Sequence, residues 1–121
     1  MSEKNTQAVK TFFDDYASGF YSIYKEEQKN PIIRFFDRTV RYSMFHRFKK
    51  VSEIIYKSES KEILDVGCGP GWHDILLARS NNINITGIDI APKMIEISES
   101  ESKKRNLDTQ LKFITADILN Y

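Results

Sequence analysis

The sequence predicts an α/β fold in which a doubly wound parallel sheet, truncated after about three strands, follows N-terminal helices. Beyond residue 57, short apolar runs alternate with helical patterns in the order strand, helix, strand, helix, strand. That order is typical of a parallel sheet with right-handed crossovers. Before residue 58, apolar residues recur at steps of three and four, which indicates amphipathic helices. The length of 121 residues fits one domain or part of one, and it excludes a complete large α/β enzyme.

Composition divides the chain near residue 57. Residues 1–57 hold 12 of the 15 aromatic residues and a net charge of +4, whereas residues 58–121 carry −3, so the whole chain sums to +1. The shift predicts an N-terminal helical region over 1–57 and a sheet domain over 58–121. Proteins that coat nucleic acid through bulk charge are usually strongly basic, so a nucleic-acid partner is not expected.

Two helices are predicted in the N-terminal region. The apolar stripe of the first consists of Val9, Phe12, Phe13, Tyr16, Phe20, Ile23 and Tyr24. The second begins at Asn30 and Pro31, because Asn caps free backbone N–H groups and Pro at the first helical position gives up no hydrogen bond. Its predicted buried stripe consists of Ile32, Phe36, Val40, Met44, Phe48, Val51 and Ile55. Its opposite face carries Arg34, Arg38, Arg41 and Lys49 around Phe45. We interpret that face as a solvated surface, the alternative being a surface for anionic lipid, substrate or RNA.

The sheet domain is predicted to contain three strands and two helices. In chain order these are a strand over Glu62 to Val66, a helix over about Trp72 to Ser80, a strand near Asn84 to Asp89, a helix from about Pro92 to Arg105 and a strand from Gln110 to Thr115.

A glycine-rich loop follows the first predicted strand. Gly67, Gly69 and Gly71 allow the backbone to turn tightly and to approach a ligand, and the next helix begins with free N–H groups. Asp89 ends the second strand, 22 residues after Gly67, where such folds usually place the acidic partner of ribose hydroxyls. Loop and carboxylate together predict an adenosine-containing cofactor. A nicotinamide dinucleotide is the poorest fit, because its fingerprint needs a third glycine where this chain has Trp72.

Three segments resemble motifs of the class I S-adenosylmethionine-dependent methyltransferases. Residues 63–71, ILDVGCGPG, resemble motif I; residues 87–95, GIDIAPKMI, resemble the second-strand motif; and residues 113–118, FITADI, resemble the third-strand motif. The resemblance covers about residues 61–121. It implies a Rossmann-like sheet, S-adenosylmethionine as the cofactor and methyl transfer to a small-molecule acceptor.

The resemblance implies a methionine-binding role for the loop and the strand before it. Asp65 would face the methionine amino group, while the backbone around Gly67, Cys68, Gly69 and Gly71 would accommodate the methionine part of the cofactor. The alternative for Asp65 is that it caps the following turn. Cys68 has no second cysteine in the chain, which argues against a redox or nucleophilic role.

The ends of the second and third strands are implied to hold the adenosine. Asp89 would accept hydrogen bonds from both ribose hydroxyls, and Ile90 would pack against the adenine. Asp117 would accept a hydrogen bond from the adenine amino group, with Ile118 as an apolar neighbour. The alternatives are that Asp117 caps a turn and that Ile90 belongs to the core.

An N-terminal segment adds a candidate lid. Residues 12–21, FFDDYASGFY, are similar to the F-D-x-x-A-x-x-Y stretch of many small-molecule methyltransferases. The similarity implies a helical flap over cofactor and substrate, in which Tyr16 and Tyr21 are lid residues. The alternative is that this aromatic stripe is ordinary core.

The family fold has seven strands in the order 3-2-1-4-5-7-6, of which the sequence predicts the first three. In the family, acceptor-positioning groups come largely from the fourth strand onward. We therefore predict no catalytic residue and expect the N-terminal part of a longer enzyme, inactive by itself. The first strand would have an unpaired edge through which copies could associate. Two alternatives are a non-catalytic S-adenosylmethionine-binding or pairing module and part of an RNA methyltransferase that uses the basic helix face.

Other features concern membranes, location and metals. No apolar run exceeds four residues, so no transmembrane segment is expected. The N-terminus lacks the apolar core of a secretory signal, and Cys68 is the single cysteine, which predicts a reduced, cytoplasmic environment. His46 and His73 lie far apart and no Cys-x-x-Cys is present, so no metal site is predicted.

Overall fold

The computed structural model describes residues 3, 6, 7, 9–11 and 31–121, with only the backbone of residues 31–41. The chain divides into two compact units, Met1–Ala17 with Ser60–Tyr121, and Ser18–Glu59. Residues 3, 6, 7 and 9–11 are helical. Most of the first predicted helix, with the candidate lid residues Tyr16 and Tyr21, lies outside the described residues.

The unit Ser18–Glu59 contains one long described helix, α1 (Pro31–Ser58). Its start at Pro31 confirms the predicted boundary. Met44, Phe48 and Ile55 are half-buried, as predicted, and Phe45 and Lys49 on the opposite face are exposed.

Among the stripe positions of α1 with described side chains, one is wrong, and the side chains of Ile32, Phe36 and Val40 lie outside the described residues. Val51 is 43% exposed, and Ser52 lies in the half-buried arc instead, with its hydroxyl oxygen buried. At 100° per residue, Met44, Phe48 and Ser52 follow one ridge of the helix in steps of four, so the buried arc is turned away from Val51. The side chains of Arg34, Arg38 and Arg41 lie outside the described residues.

The other unit contains a three-stranded parallel sheet with the strand order β1-β2-β3. Its elements are β1 (Glu62–Val66), α2 (Trp72–Ser80), β2 (Asn84–Asp89), α3 (Pro92–Lys104), β3 (Leu111–Thr115) and a 3₁₀ turn (Ile118–Asn120). Each predicted strand and helix is present with ends within one residue of the prediction, because local apolar periodicity and the flanking turn residues agree with the tertiary fold.

One face of the sheet carries both crossover helices. Asp65 of β1, Gly87 of β2 and Phe113 of β3 share a register position and therefore point to the same face. Both crossovers connect neighbouring strands in the same direction, so right-handed connections place α2 and α3 together on that face. The most deeply buried apolar side chains of this unit include Ile75, Ile85, Ile88, Ala91 and Met94.

β1 is an edge strand in the described part of the chain. It pairs with β2, and Leu64 and Val66 on its other face are 52% and 51% exposed. This arrangement matches the open edge that the sequence predicts. None of the described helices is long and apolar enough to cross a membrane.

Candidate functional site

The glycine-rich loop is anchored over the end of β2. The N–H groups of Gly67 and Cys68 both donate to the carbonyl oxygen of Ile88, at 2.7 and 3.0 Å. Gly67, Gly69 and Gly71 have φ angles of 77°, 55° and 72°, in the left-handed region that side chains disfavour. The loop therefore needs glycine at these positions to leave β1 and start α2 within five residues.

The glycines of the loop differ in their surroundings. A Cβ atom built on Gly67 or Gly69 would have no atom of the described residues within 4 Å, apart from its chain neighbours, so these residues leave the loop surface open at both positions. A Cβ atom on Gly71 would lie 2.8 Å from Cζ of Phe113 and 2.8 Å from Cβ of Ser98. Gly67 and Gly69 thus leave room for a ligand, whereas Gly71 lets α2 pack closely against α3 and the sheet.

Phe113 supports the loop from below, a role that the sequence analysis missed. Its ring reaches from β3 across Gly87 of β2, where a Cβ atom would lie 2.7 Å from Cδ1 of Phe113, to Gly71. A glycine inside a strand often marks the close approach of a neighbouring group. Gly87 in β2 could therefore have indicated that a side chain such as Phe113 packs over it. Phe113 of the third-strand motif therefore packs against the glycine-rich loop of motif I.

Asp89 connects the loop to the start of α3. Its Oδ2 accepts a hydrogen bond from the N–H of Gly69 at 2.8 Å, and its Oδ1 accepts one from the N–H of Ala91 at 2.9 Å. Both bonds hold the half-buried carboxylate in place next to the open loop. Each oxygen has a further lone pair that can accept from a ligand hydroxyl.

Asp74, a second residue that the sequence analysis missed, lies in the first turn of α2 and is 1% exposed. Burial, followed by the negative charge of Asp65 and a hydrogen bond with that residue, raises the pKa of Asp74 to about 9. Its Oδ2 has no hydrogen-bond partner in the described part of the chain. An acidic residue in the first turn normally stabilises the helix N-terminus at the surface. No sequence signal therefore indicated that Asp74 is buried.

Cys68 lies among these acidic groups. Burial raises the pKa of its thiol, and the charges of Asp74, Asp89 and Asp65 raise it further. A thiol in this environment stays protonated and is a poor nucleophile. We call the three aspartates around this thiol, Asp65, Asp74 and Asp89, the carboxyl cluster.

The predicted adenine side of the site is built around the end of β3. Asp117 caps the 3₁₀ turn, because its Oδ1 accepts from the N–H of Leu119 at 3.0 Å and its Oδ2 from the amide of Asn120 at 3.2 Å. Ile90 is half-buried and Ile118 is exposed. Asp117 also borders a cavity of about 440 Å³, a size typical of ligand pockets. The other lining residues are Glu3, Thr6, Gln7, Leu119 and Asn120.

The described site residues gather at one edge of the sheet. Asp65, Asp89 and Asp117 lie at or just after the carboxyl ends of β1, β2 and β3, the edge where open α/β sheets bind ligands. The N–H of Ala116 donates to the carbonyl of Asp89 at 3.0 Å and ties two of these strand ends together. No group of three or more potential metal ligands is found among the described residues.

A family model described as a methyltransferase domain matches residues 57–121, more than half of the chain. The chain belongs to this methyltransferase family. The predicted membership in the class I S-adenosylmethionine-dependent methyltransferases is therefore confirmed, and so is the order of its first three strands.

Individual relatives of this methyltransferase domain extend the comparison over the N-terminal region. O-methyltransferase rstn1 of Aspergillus nomiae is 24% identical over 120 residues, which cover 93% of this chain and 51% of the relative. A malonyl-[acyl-carrier protein] O-methyltransferase of Paenibacillus sp. is 29% identical over 112 residues, covering 92% of this chain and 37% of the relative. The chain thus spans about half the length of these relatives, or less.

The fold of this methyltransferase domain also matches a solved structure. Magnesium protoporphyrin IX methyltransferase from Synechocystis PCC 6803, solved with bound SAH, has a TM-score of 0.78 and 21% sequence identity. The match covers 96% of this chain and 53% of that protein. At this identity the likeness establishes a common fold.

Proposed function

We propose that this chain supplies the S-adenosylmethionine-binding part of an enzyme that transfers a methyl group to a small-molecule acceptor. The observation that carries the proposal is the fixed Asp89 carboxylate beside the open loop at Gly67 and Gly69. The cofactor fits these residues, because it brings ribose hydroxyls for a carboxylate and a methionine end that needs close backbone approach.

The methionine end would lie against the loop. Asp65 would accept from the ammonium group, and the backbone around Gly67, Cys68 and Gly69 would contact the methionine chain. Gly71 would act there mainly by holding the start of α2, since its Cα faces Phe113 and Ser98.

The adenosine would lie across the ends of β2 and β3. Asp89 would accept from both ribose hydroxyls, Ile90 and Ile118 would flank the adenine, and Asp117 would accept from the adenine amino group. Because both oxygens of Asp117 already accept within its own turn, its orientation is fixed before a ligand binds.

When bound, the cofactor supplies a methyl carbon on a sulfonium centre for in-line displacement. This chain's described residues would bind and orient the cofactor, while acceptor-positioning groups would come from sequence that corresponds to the remaining length of the relatives. The second candidate, a non-catalytic S-adenosylmethionine-binding module, is favoured by the same partial coverage. Methyl transfer by the 121-residue chain alone would contradict the expectation that this chain is inactive by itself. It would equally contradict the alternative of a non-catalytic binding module.

Two further properties belong to the proposal. The exposed edge of β1 would allow copies to associate, and sedimentation velocity at rising protein concentration should then show a dimer. A cytoplasmic location would agree with the single protonated thiol, and targeting of a fluorescent fusion to another compartment would contradict it.

The test of cofactor binding is calorimetric titration with S-adenosylhomocysteine, with NAD as the competing class. The Asp89→Asn variant should bind S-adenosylhomocysteine about 10- to 100-fold more weakly, because it loses a charged acceptor for the ribose and for the loop. Asp108→Asn, a matched change at an exposed position, should bind normally. Binding of NAD without S-adenosylhomocysteine would overturn the proposal.

A further inference from the structure

We propose that Asp74 is a positioning residue of the cofactor site, which holds the Asp65 carboxylate through a shared proton and releases that proton when the cationic methionine end binds. The inference rests on the proposed function and adds a residue to its methionine subsite. Its basis is a buried carboxyl group that the described fold leaves incompletely bonded.

The geometry pairs Asp74 with Asp65 across the loop. Asp74 starts α2 and Asp65 ends β1, and a hydrogen bond joins their carboxyl groups. Two carboxylates cannot share a hydrogen bond without a proton, so one of the pair is protonated in the unliganded protein. The more buried member, Asp74, holds the proton and donates it to Asp65. This bond fixes the Asp65 carboxyl group in position.

The unpartnered Oδ2 of Asp74 points to a missing ligand. Burying a polar oxygen without a hydrogen bond costs about 1 to 3 kcal/mol, so such an atom in a native fold requires an explanation. The Asp74 carboxyl group lies near enough to the loop for its charge to raise the pKa of the Cys68 thiol. A donor bound at the loop would therefore lie near Asp74.

The charges around Asp74 favour a cationic donor. Asp65 faces it from β1, Cys68 from the loop and Asp89 lies beyond the thiol on β2. No described lysine or arginine forms an ion pair with the carboxyl cluster.

Two basic side chains, His73 and Arg105, lie near the start of α2 and the end of α3. His73 follows Trp72 on α2, and the guanidinium of Arg105, the residue after α3, lies 5.4 Å from the ring centroid of Trp72. Arg105 is ion-paired with Glu101, which also pairs with Lys104, so Arg105 is engaged away from the carboxyl cluster. Among the described residues, no lysine or arginine supplies the counter-charge that an ammonium group would bring to the carboxyl cluster.

Binding would convert the pair from one negative charge to two. The O–H bond of Asp74 breaks, its proton passes to solvent, and the two carboxylates face the incoming ammonium cation. The thermodynamic consequence is that cofactor affinity rises with pH, by up to about tenfold per unit, wherever the free pair is protonated and the bound pair is not.

The experiment is calorimetric titration of the full chain with S-adenosylhomocysteine at pH 7.5, in phosphate and in Tris, whose ionisation enthalpies differ. The difference between the two observed enthalpies gives the number of protons released. We expect a release approaching one proton per ligand for the natural chain and none for Asp74→Asn, whose amide can donate to Asp65 but cannot ionise. Asp108→Asn should release the same number as the natural chain.

The outcomes separate the two proposals. Binding without proton release by the natural chain, or equal release by Asp74→Asn, would overturn the role of Asp74 and leave the proposed function standing. Absence of S-adenosylhomocysteine binding by the natural chain would overturn the proposed function and this inference with it. Absence of proton release from the natural chain decides against the role of Asp74 even where the variant folds poorly.

Discussion

The two halves of the glycine loop use the same residue type for different purposes. At Gly67 and Gly69 none of the described residues fills the space beside the backbone, whereas at Gly71 Phe113 and Ser98 fill it. All three share a left-handed backbone, so conformation alone does not distinguish them. In the proposed function the open half would serve ligand approach, whereas the packed half serves the fold, although both lie within one short motif.

The largest effect is expected from Gly71→Ala. The new methyl group would lie under 3 Å from Phe113 and Ser98, and the left-handed backbone would be strained as well. Overpacking costs about 1 to 3 kcal/mol and the backbone about 1 to 2 kcal/mol, so urea denaturation should show a loss of at least about 2 kcal/mol. A variant as stable as the natural chain would contradict the packed role of Gly71.

Gly67→Ala should affect stability less and ligand binding more. The backbone again costs about 1 to 2 kcal/mol, but nothing near the new methyl group must move. In the same denaturation experiment its loss should be smaller than that of Gly71→Ala. Its affinity for S-adenosylhomocysteine should fall about tenfold or more, because the methyl group occupies the space for the ligand. Unchanged affinity would show that the open half of the loop is not the ligand side.

Asp74→Asn should leave the free energy of unfolding almost unchanged at acid pH. At higher pH it should raise that free energy, whereas the glycine variants lower it. Native Asp74 keeps its proton up to about pH 9, whereas in the unfolded chain it loses the proton near its ordinary pKa of 3.8. Its contribution to stability is therefore complete below about pH 4 and is lost progressively as pH rises toward 9. Since Asn does not titrate, the variant should match the natural chain near pH 4 and exceed it by about 1 to 3 kcal/mol at pH 8.

Thermal unfolding of both chains across this pH range measures the difference. Carboxyl groups elsewhere contribute equally to the two curves and cancel. Parallel curves would mean that Asp74 ionises normally in the folded protein. That result would also remove the basis for proton release on ligand binding.

Local sequence patterns determined most of the secondary structure. The start of α1 followed from Asn30 and Pro31, and each strand end near the site followed from an apolar run that meets a turn residue. The loop glycines and Asp89 followed from their spacing along the chain, which reflects the order of parallel strands, whereas Asp65 and Asp117 were implied by the resemblance to the methyltransferase motifs. Their contacts with a ligand stay predictions.

The stripe of α1 shows where local patterns fail. The apolar character of Val51 placed it in the stripe, yet Ser52 lies in the half-buried arc. An apolar side chain at the border of a helix face fits either side of the pattern. Only the actual surroundings of the helix decide which residue is covered.

The sequence by itself determined the βαβαβ order and the glycine loop, because periodicity and turn chemistry act over a few residues, and its motifs pointed to the acidic residues at the strand ends. Only the tertiary structure decided that Phe113 fills the space above Gly87 and Gly71, because this contact depends on the register of β2 and β3. It also decided that Asp74 keeps a proton, because a carboxyl pKa depends on burial and on the charge of Asp65 across the loop.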